Sequence, residues 1–190
     1  MKIGLFFGSF NPVHVGHMII ANHIVANTDL KRVWMVVSPQ NPLKPKYTLA
    51  KDQDRLHLVR LAIGDNPNLE ASDIEFKLPQ PSYTVDTLAY LKEKYPKKEF
   101  ALIMGGDNVA TLKKWKNYET ILENYDIYVY KRPNYELGEF EQHPHIHIIE
   151  APMLEISATH IRSNIHQNKS IQYLVTEPVF RYLEGSSMYK

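Results

Sequence analysis

Short apolar runs and longer stretches of helical spacing alternate along the whole chain. The apolar runs are typical of buried strands, and they lie at residues 3–7, 32–37, 69–76, 98–104, 126–130 and 146–149. Apolar residues at helical spacing predict helices, and these lie at residues 18–26, 52–63, 84–95, 112–122 and 176–183. The alternation favours a mainly parallel sheet with helices on both faces. Right-handed crossovers then predict a Rossmann-like, doubly wound α/β fold.

The segment from Gly8 to His17 joins the first predicted strand to the first predicted helix. Gly8 lets the backbone approach a ligand closely, and Pro12 suits a first helical turn, where its missing N–H costs nothing. The free N–H groups at a helix start attract anions. His14 and His17 are three residues apart, so on a helix they share one face. The segment predicts a phosphate site; the alternative is that His17 is a core histidine and His14 a helix cap.

The composition of the chain excludes several classes of binding partner and several kinds of chemistry. The chain has 190 residues, enough to bury a core in one domain spanning residues 1–190. Its formal net charge of +1 gives no overall field for nucleic acid or an anionic membrane, so phosphate binding must arise from a local site. The absence of cysteine excludes disulfides, thiolate chemistry and cysteine–zinc sites. No apolar run approaches membrane-spanning length and no signal peptide is visible, so we expect a cytoplasmic protein.

A proline-rich loop from Ser38 to Lys46 follows the second predicted strand. Open α/β sheets bind ligands at the carboxyl ends of their strands. Lys44 and Lys46 could therefore contact a phosphate, the alternative being two solvated loop lysines. In the helix that follows, Arg55 and Arg60 are expected on the solvated face.

Three positions in the middle of the chain carry candidate chemistry. Thr84 is expected to cap the helix that it begins. Asp107 follows two glycines at the end of a predicted strand, where it could accept hydrogen bonds from ribose hydroxyls or cap a helix. Trp115 lies among three lysines, which suits an aromatic anion, although it could equally complete the core.

Three histidines alternate at the approach to the last predicted strand and at its start, at His143, His145 and His147. Alternate residues of a strand share one face, so a metal site is conceivable. No carboxylate or cysteine spacing accompanies them, and an exposed histidine face on an edge strand is the favoured interpretation.

A second helix start near the C-terminal end carries Ser157, Thr159 and Arg162. Ser157 is a typical N-cap, and Arg162 lies about one turn further on. An arginine can bind two phosphate oxygens at once. This segment therefore predicts a second phosphate contact, the alternative being a capped surface helix.

The residues from Gly8 to His17 resemble the His-x-Gly-His signature of the nucleotidylyltransferase superfamily, whose members transfer a nucleotidyl group from a nucleoside triphosphate to a phosphate. Nearly the whole chain is similar to the bacterial nicotinate-nucleotide adenylyltransferase family. The matching segments are residues 8–17, 38–44, 82–88, 105–115 and 156–162. The first and last mark the superfamily, and the middle three narrow the resemblance to the pyridine-nucleotide branch.

The resemblance implies a role for each matching residue. The implied ATP ligands are Gly8, Ser9, Phe10, His14, His17, Asp107, Ser157, Thr159 and Arg162. Of these, His14, His17 and Arg162 would form the catalytic group that holds the triphosphate. The implied nicotinate mononucleotide ligands are Ser9, Lys44, Thr84, Trp115 and Lys116. Asp107 would contact a ribose, Lys44 a phosphate, and Trp115 would stack on the pyridine ring. Thr84 and the backbone near Lys116 would contact the carboxylate of that ring.

One position departs from the family pattern, because Leu43 stands where many relatives carry a histidine before the lysine. The resemblance implies ATP and nicotinate mononucleotide as partners, with Mg²⁺ carried by the ATP phosphates and no protein metal site. It is compatible with a homo-oligomer. Two alternatives stay open: an adenylyltransferase acting on nicotinamide mononucleotide or phosphopantetheine, and a non-catalytic ATP-binding sensor.

Overall fold

The computed structural model describes residues 1–39 and 49–190. The strands are β1 (Lys2–Gly8), β2 (Arg32–Val37), β3 (Leu69–Ser72), β4 (Glu99–Gly105), β5 (Ile127–Tyr130) and β6 (Ile146–Ile149). The helices are α1 (Val15–Asn27), α2 (Asp52–Ile63), α3 (Thr84–Lys94), α4 (Gly106–Val109), α5 (Tyr118–Asn124), α6 (Ala158–His166) and α7 (Glu177–Glu184). Turns of 3₁₀ helix lie at Ile74–Lys77, Leu112–Lys114 and Gly138–Gln142.

The strands form one sheet in the order β3-β2-β1-β4-β5-β6, and every neighbouring pair is parallel. This is the strand order of a doubly wound, Rossmann-like sheet, so the predicted fold class is confirmed. The strand order reverses between β1 and β4, and ligands bind in such folds at the carboxyl ends of the strands beside this reversal. Among the described residues, no helix is both long and apolar enough to cross a membrane.

Apolar layers cover both faces of the sheet because side chains alternate along each strand. In β2, Val33 and Met35 pack with α1 and α2, whereas Trp34 and Val36 point to the face that carries α3 and α5. Burial of each aliphatic side chain stabilises the fold by about 1.5–3 kcal/mol. A strand buried on both faces reads as a continuous apolar run, which is why the runs in the sequence located β1, β2 and β4.

Three predictions from the sequence change in the structure. Phe76 lies in a 3₁₀ turn rather than in a strand, since β3 ends at Ser72, whose hydroxyl accepts the N–H of Ile74 at 3.4 Å. The predicted helix over 112–122 is broken at Asn117, whose φ of 50° is left-handed. Pro12 precedes the first helical turn, because His14 is extended and α1 begins only at Val15.

Candidate active site

Most of the predicted site residues lie after the carboxyl ends of strands or at helix starts near them. Gly8 ends β1, and the loop that follows leads into α1. Gly105 ends β4, and Arg132 comes two residues after the end of β5. Parallel strands present their carboxyl ends at the same edge. The sheet therefore brings residues from distant parts of the sequence to one crevice.

Phe10 organises the loop after β1. Its φ is 44°, its side chain is 1% exposed, and its ring packs edge-on against Phe6 and His17, with centroids 5.9 and 5.0 Å away. A Cβ on Gly8 would lie 2.8 Å from the Phe10 ring. The space expected beside Gly8 for a ligand is therefore filled by Phe10, and glycine is required there by packing within the protein.

His14 and His17 form a stacked pair at the start of α1. His14 is the N-cap residue, its backbone N–H donates to Nδ1 of His17 at 3.2 Å, and the ring centroids are 3.7 Å apart. The two rings thus lie together, as their spacing predicted, although His14 precedes the helix. A Cβ on Gly16 would lie 3.0 Å from Nδ1 of His14. Glycine between the histidines therefore gives the buried ring its room.

The His14 side chain is neutral at neutral pH. It is 7% exposed, and burial, with a smaller contribution from the positive charge of Arg132, lowers its pKa to about 4. Its Nδ1 is buried and has no hydrogen-bond partner within residues 1–39 and 49–190. A buried polar atom without a partner is costly. The free protein therefore bears this cost at the start of α1.

Arg132 belongs to the same region and was not predicted as a site residue. Its Nε lies 3.3 Å from Oδ1 of Asp107, and its charge acts on His14. A Cβ on Gly105 would collide with the Asp107 carboxylate and lie 3.1 Å from Nε of Arg132. Asp107 is the second residue of α4 and Gly105 is its N-cap, so the capping alternative for Asp107 is wrong. Arg132 closely follows a predicted strand, but only the strand order places that strand beside β4.

The start of α6 is joined to the loop that carries the histidines. Ser157 is the N-cap and its hydroxyl accepts the N–H of His160 at 3.1 Å, as predicted. The Arg162 guanidinium donates to Oγ1 of Thr159 at 3.2 Å and to the carbonyl oxygen of Asn11 at 2.7 Å. Residues 151 positions apart thus meet at one site.

Asn11 connects further segments of the chain, and no local pattern in the sequence predicted this role. It is 3% exposed, and its Oδ1 accepts the backbone N–H of Ala50 at 3.1 Å and the hydroxyl of Tyr189 at 2.8 Å. Burial raises the pKa of Tyr189, so its hydroxyl stays protonated as the donor. The loop before His14 is therefore fixed by both its backbone and its side chain.

The predicted pyridine-binding residues form a second, more exposed group. Thr84 is the first residue of α3 and Tyr83 is extended in the N-cap position, so the predicted cap at Thr84 is wrong. Trp115 is half-buried and packs against the apolar layer on the α3 and α5 face, in agreement with its core interpretation. Nζ of Lys116 lies 2.8 Å from Oδ2 of Asp86, which places the Trp115 segment beside the start of α3.

The remaining predictions concern the loop after β2 and the helix that follows. Lys44 and Lys46 lie outside the described residues. Arg60 is exposed, as expected, but Arg55 is fully buried and the expectation of a solvated position is wrong. Its guanidinium hydrogen-bonds to the carbonyl oxygen of Ser9, so it belongs to the surroundings of the site.

The alternating histidines lie far from the crevice, near the end of the sheet where the strands begin. β6 is an edge strand, but the histidines are not simply exposed: His145 Nδ1 and His147 Nε2 lie 3.0 and 3.2 Å from Oδ1 of Asp126. The other oxygen of that carboxylate lies 2.7 Å from Nζ of Lys2. In the described part of the chain, no group of three or more His, Asp and Glu side chains is arranged to hold a metal ion.

Comparison with known proteins identifies the class. The family model described as Cytidylyltransferase-like matches residues 5–164. This range holds the end of β1 with the histidine segment that follows it, the other five strands of the sheet, and Arg162. With this fold, the chain is a nucleotidyltransferase.

Relatives of high sequence identity show to which family of nucleotidyltransferases the chain belongs. The chain is 59% identical over 192 residues to "Probable nicotinate-nucleotide adenylyltransferase" of Flavobacterium psychrophilum, with 100% of both chains covered. It is 42% identical over 180 residues to the protein of the same name from Bacteroides fragilis, covering 95% of this chain and 90% of the other. The chain belongs to the nicotinate-nucleotide adenylyltransferase family.

Solved structures share the fold at lower identity. The Plasmodium falciparum nicotinic acid mononucleotide adenylyltransferase complexed with NaAD superposes with a TM-score of 0.82 at 18% identity, covering 99% of this chain and 97% of the other. The same enzyme complexed with APC gives a TM-score of 0.81 at 18% identity, covering 99% and 96%. The architecture is therefore common to solved members of this class.

Proposed function

We propose that this protein transfers the adenylyl group of ATP to the 5′-phosphate of nicotinate mononucleotide, releasing pyrophosphate and forming nicotinate adenine dinucleotide. The observation that carries the proposal is the stacked His14–His17 pair at the start of α1, with Arg162 bound to the loop before it. Two imidazoles at a helix start and a guanidinium are suited to phosphate oxygens. The family relatives named above support the choice of substrates.

The reaction needs positioning more than it needs a protein base. An oxygen of the mononucleotide phosphate forms a bond to the α-phosphorus of ATP, the bond from that phosphorus to the β-phosphate bridging oxygen breaks, and pyrophosphate leaves with the electron pair. The nucleophile is already an anion, so no proton has to be removed. The barrier comes from bringing two anions into line and from charge growing on pyrophosphate. Preorganised donors lower both contributions.

His17 and Arg162 are proposed to bind the leaving pyrophosphate, and His14 a neighbouring phosphate oxygen. His17 is fixed by the His14 N–H and by the Phe10 ring. Arg162 is oriented by Thr159 and by the Asn11 carbonyl oxygen. Groups held in place before the reaction need no reorganisation during it. Asp107 is proposed to accept hydrogen bonds from a ribose.

The pyridine end of the site is proposed at Thr84 and Trp115. The Lys116–Asp86 ion pair joins the Trp115 segment to the first turn of α3. The free N–H groups of that turn are suited to a carboxylate, which is the group that distinguishes nicotinate from nicotinamide. Ser9 is proposed to line the region between the two substrates, and Lys44 to contact the phosphate of the mononucleotide.

Mg²⁺ is proposed to enter as part of the substrate, bound to the ATP phosphates. Hard divalent cations of this kind commonly retain phosphate and water ligands. The cytoplasmic location expected from the sequence is part of the same proposal.

The decisive experiment is pyrophosphate release with ATP and Mg²⁺, comparing nicotinate mononucleotide with nicotinamide mononucleotide. The proposal expects a preference for the acid of at least about tenfold in kcat/KM, because an amide cannot supply the charge that helix N–H groups favour. Trp115→Ala is expected to raise KM for the acid and leave KM for ATP unchanged.

Each other outcome overturns a defined part of the proposal. Equal use of both acceptors, or a preference for the amide, would retain adenylyl transfer and refute the pyridine pocket. No turnover with either would refute the function, and phosphopantetheine would then be tested as the acceptor. ATP binding without turnover on any acceptor would identify a sensor.

A further inference from the structure

Arg55 has an environment that the proposed reaction does not yet explain. It lies in the first turn of α2 and is 0% exposed, which is unusual for an arginine. Next to it in the sequence is Leu56, also buried in the core. An aliphatic residue at position 55 would fill the same layer without placing a charge there.

Burying a guanidinium is costly unless acceptors surround it. Four of the acceptors around Arg55 are backbone carbonyl oxygens and one is a carboxylate. The acceptors are the carbonyl oxygens of Ser9, Ser38 at 2.9 Å, Pro39 at 3.4 Å and Ala50 at 3.0 Å, and Oδ1 of Asp52 at 2.7 Å. The planar guanidinium has five N–H donors in a fixed arrangement, so Arg55 sets the relative positions of these carbonyl groups.

The carbonyl groups come from two loops at the site edge. Ser9 follows β1 directly and precedes Phe10, against which His17 packs. Ser38 and Pro39 follow β2, and Ala50 precedes α2. The same two loops share further bonds, because Ser38 N–H donates to the Gly8 carbonyl oxygen at 2.9 Å. The Ala50 N–H donates to Oδ1 of Asn11 at 3.1 Å.

We propose that Arg55 is a positioning residue, whose buried guanidinium fixes the loop after β1 to the backbone just after β2 and just before α2, and thereby holds Ser9 and the histidine pair in reactive alignment. It touches no substrate in this assignment. Its effect on the reaction passes through the Ser9 carbonyl group and the Phe10–His17 packing. The kinetic part rests on the proposed function, whereas the structural part does not.

The kinetic test uses Arg55→Lys and Arg55→Met, with Arg60→Lys and Arg60→Met as matched controls on the exposed face of the same helix. A lysine keeps the charge and the aliphatic stem but cannot reach the same acceptors together. A displacement of about 1 Å in reacting groups can lower the rate about 100-fold. We expect kcat to fall about 100-fold in Arg55→Met and about 10-fold in Arg55→Lys, with KM for ATP changed less than about threefold. Both Arg60 variants should retain wild-type constants.

A purely structural role would give a different result. Each kcat is therefore divided by the concentration of protein that binds an ATP analogue, measured in the same preparation well below its Tm. If kcat per binding-competent molecule is unchanged in Arg55→Lys and only Tm falls, the positioning role is refuted. Wild-type activity in Arg55→Met would refute it as well.

Amide hydrogen exchange tests the loop connection without the reaction. The proposal expects the Ser38 and Ala50 amides to exchange at least about tenfold faster in folded Arg55→Lys, while amides in the middle of β4 stay as slow as in the wild type. Unchanged exchange at both amides would overturn the proposal even if activity falls. If the wild-type protein transfers no adenylyl group but the two amides still exchange faster in Arg55→Lys, the connection between the loops is upheld and only the proposed reaction is refuted.

Discussion

Charged and polar side chains lie both at the amino edge of the sheet, where the parallel strands begin, and at the carboxyl edge, where they end. The side chains at these two edges have different partners. At the amino edge, Lys2 contacts Asp29 and Asp126 at 3.0 and 2.7 Å, and the Tyr128 hydroxyl at 2.8 Å. At the carboxyl edge, Arg162 donates to the backbone of Asn11, and Nδ1 of His14 has no partner among the described residues. At the amino edge the charged side chains are bound mainly to one another, whereas at the carboxyl edge Arg162 is held by a backbone carbonyl group and Arg132 forms an ion pair with Asp107.

The pKa values express the same contrast. Burial opposes the charge on Lys2 and on Asp126, yet the hydrogen bonds between them and to neighbouring side chains outweigh it, so the pKa of Lys2 is raised and that of Asp126 is lowered. His14 receives no such compensation, and its pKa falls. The amino edge therefore stabilises the fold, whereas the carboxyl edge keeps groups ready for a ligand at a cost to the stability of the free protein.

The largest effect is expected from His17→Ala. The variant removes one preorganised donor from the carboxyl edge, and kcat should fall about 100- to 1,000-fold, with a much smaller rise in KM. Steady-state pyrophosphate release measures both constants. His23→Ala, on the same helix, is the control and should behave like the wild type. A rise in KM alone would mean that His17 binds the ground state and the transition state equally.

The second-largest expected effect is a pH dependence of the free energy of unfolding that comes from His14. Its folded pKa of about 4 lies below the unfolded value near 6.5, so the unfolded chain binds more protons between these values. Stability should therefore fall by about 2 kcal/mol between pH 7.5 and pH 5 on account of this residue. Urea unfolding at the two pH values measures it.

His14→Gln is expected to lose that part of the pH dependence, while His23→Gln keeps it. Equal pH dependence in the wild type and His14→Gln would contradict the assignment of a buried neutral imidazole.

A smaller effect is expected at the amino edge. Asp126→Asn removes the charge shared by Lys2, His145 and His147 and should lower the free energy of unfolding by about 1 kcal/mol, because hydrogen bonds to charged groups are stronger than the neutral ones that an asparagine retains. The kinetic constants should not change. Glu70→Gln is the control, since its half-exposed pair with Arg32 spans 3.9 Å and contributes little. Altered kcat in Asp126→Asn would show that the edges are coupled.

The smallest effect is expected from Lys116→Met. The ion pair with Asp86 is about half-exposed on both sides, so its loss should change stability by less than about 0.5 kcal/mol. The preference for the acid should persist, because backbone groups are proposed to bind the carboxylate. Lys113→Met, which removes a similarly exposed pair with Glu139, is the matched control. A lost preference in Lys116→Met alone would assign carboxylate binding to the side chain.

The sequence was most informative where the spacing of apolar residues within one element determines the structure of that element. The bounds of β2 and α2 agree with those predicted, because apolar runs and helical spacing reflect burial within each element. The end of α2 at Gly64 has a φ of 58°, a conformation that glycine adopts readily. In the candidate site, the stacking of His14 with His17 and the cap at Ser157 are likewise local contacts.

Contacts between distant segments could not be predicted from local patterns. Arg55 resembled a surface residue because its acceptors are carbonyl groups of Ser9, Ser38 and Pro39, which belong to other elements. Arg132 depends on β5 lying next to β4, which only the strand order establishes. Trp115, which suited both a ligand and the core, lies against the core, and its stacking on a pyridine ring stays a prediction.

The hydrogen bonds of Asn11 set the order in which the site can assemble as the chain folds. Its carbonyl oxygen is bound by a residue 151 positions later, and its side chain by one 178 positions later. Closing loops of this length costs entropy and slows the contacts that depend on them. During synthesis the central strands can pair early, but the loop before the histidines reaches its final geometry only after Tyr189 has left the ribosome.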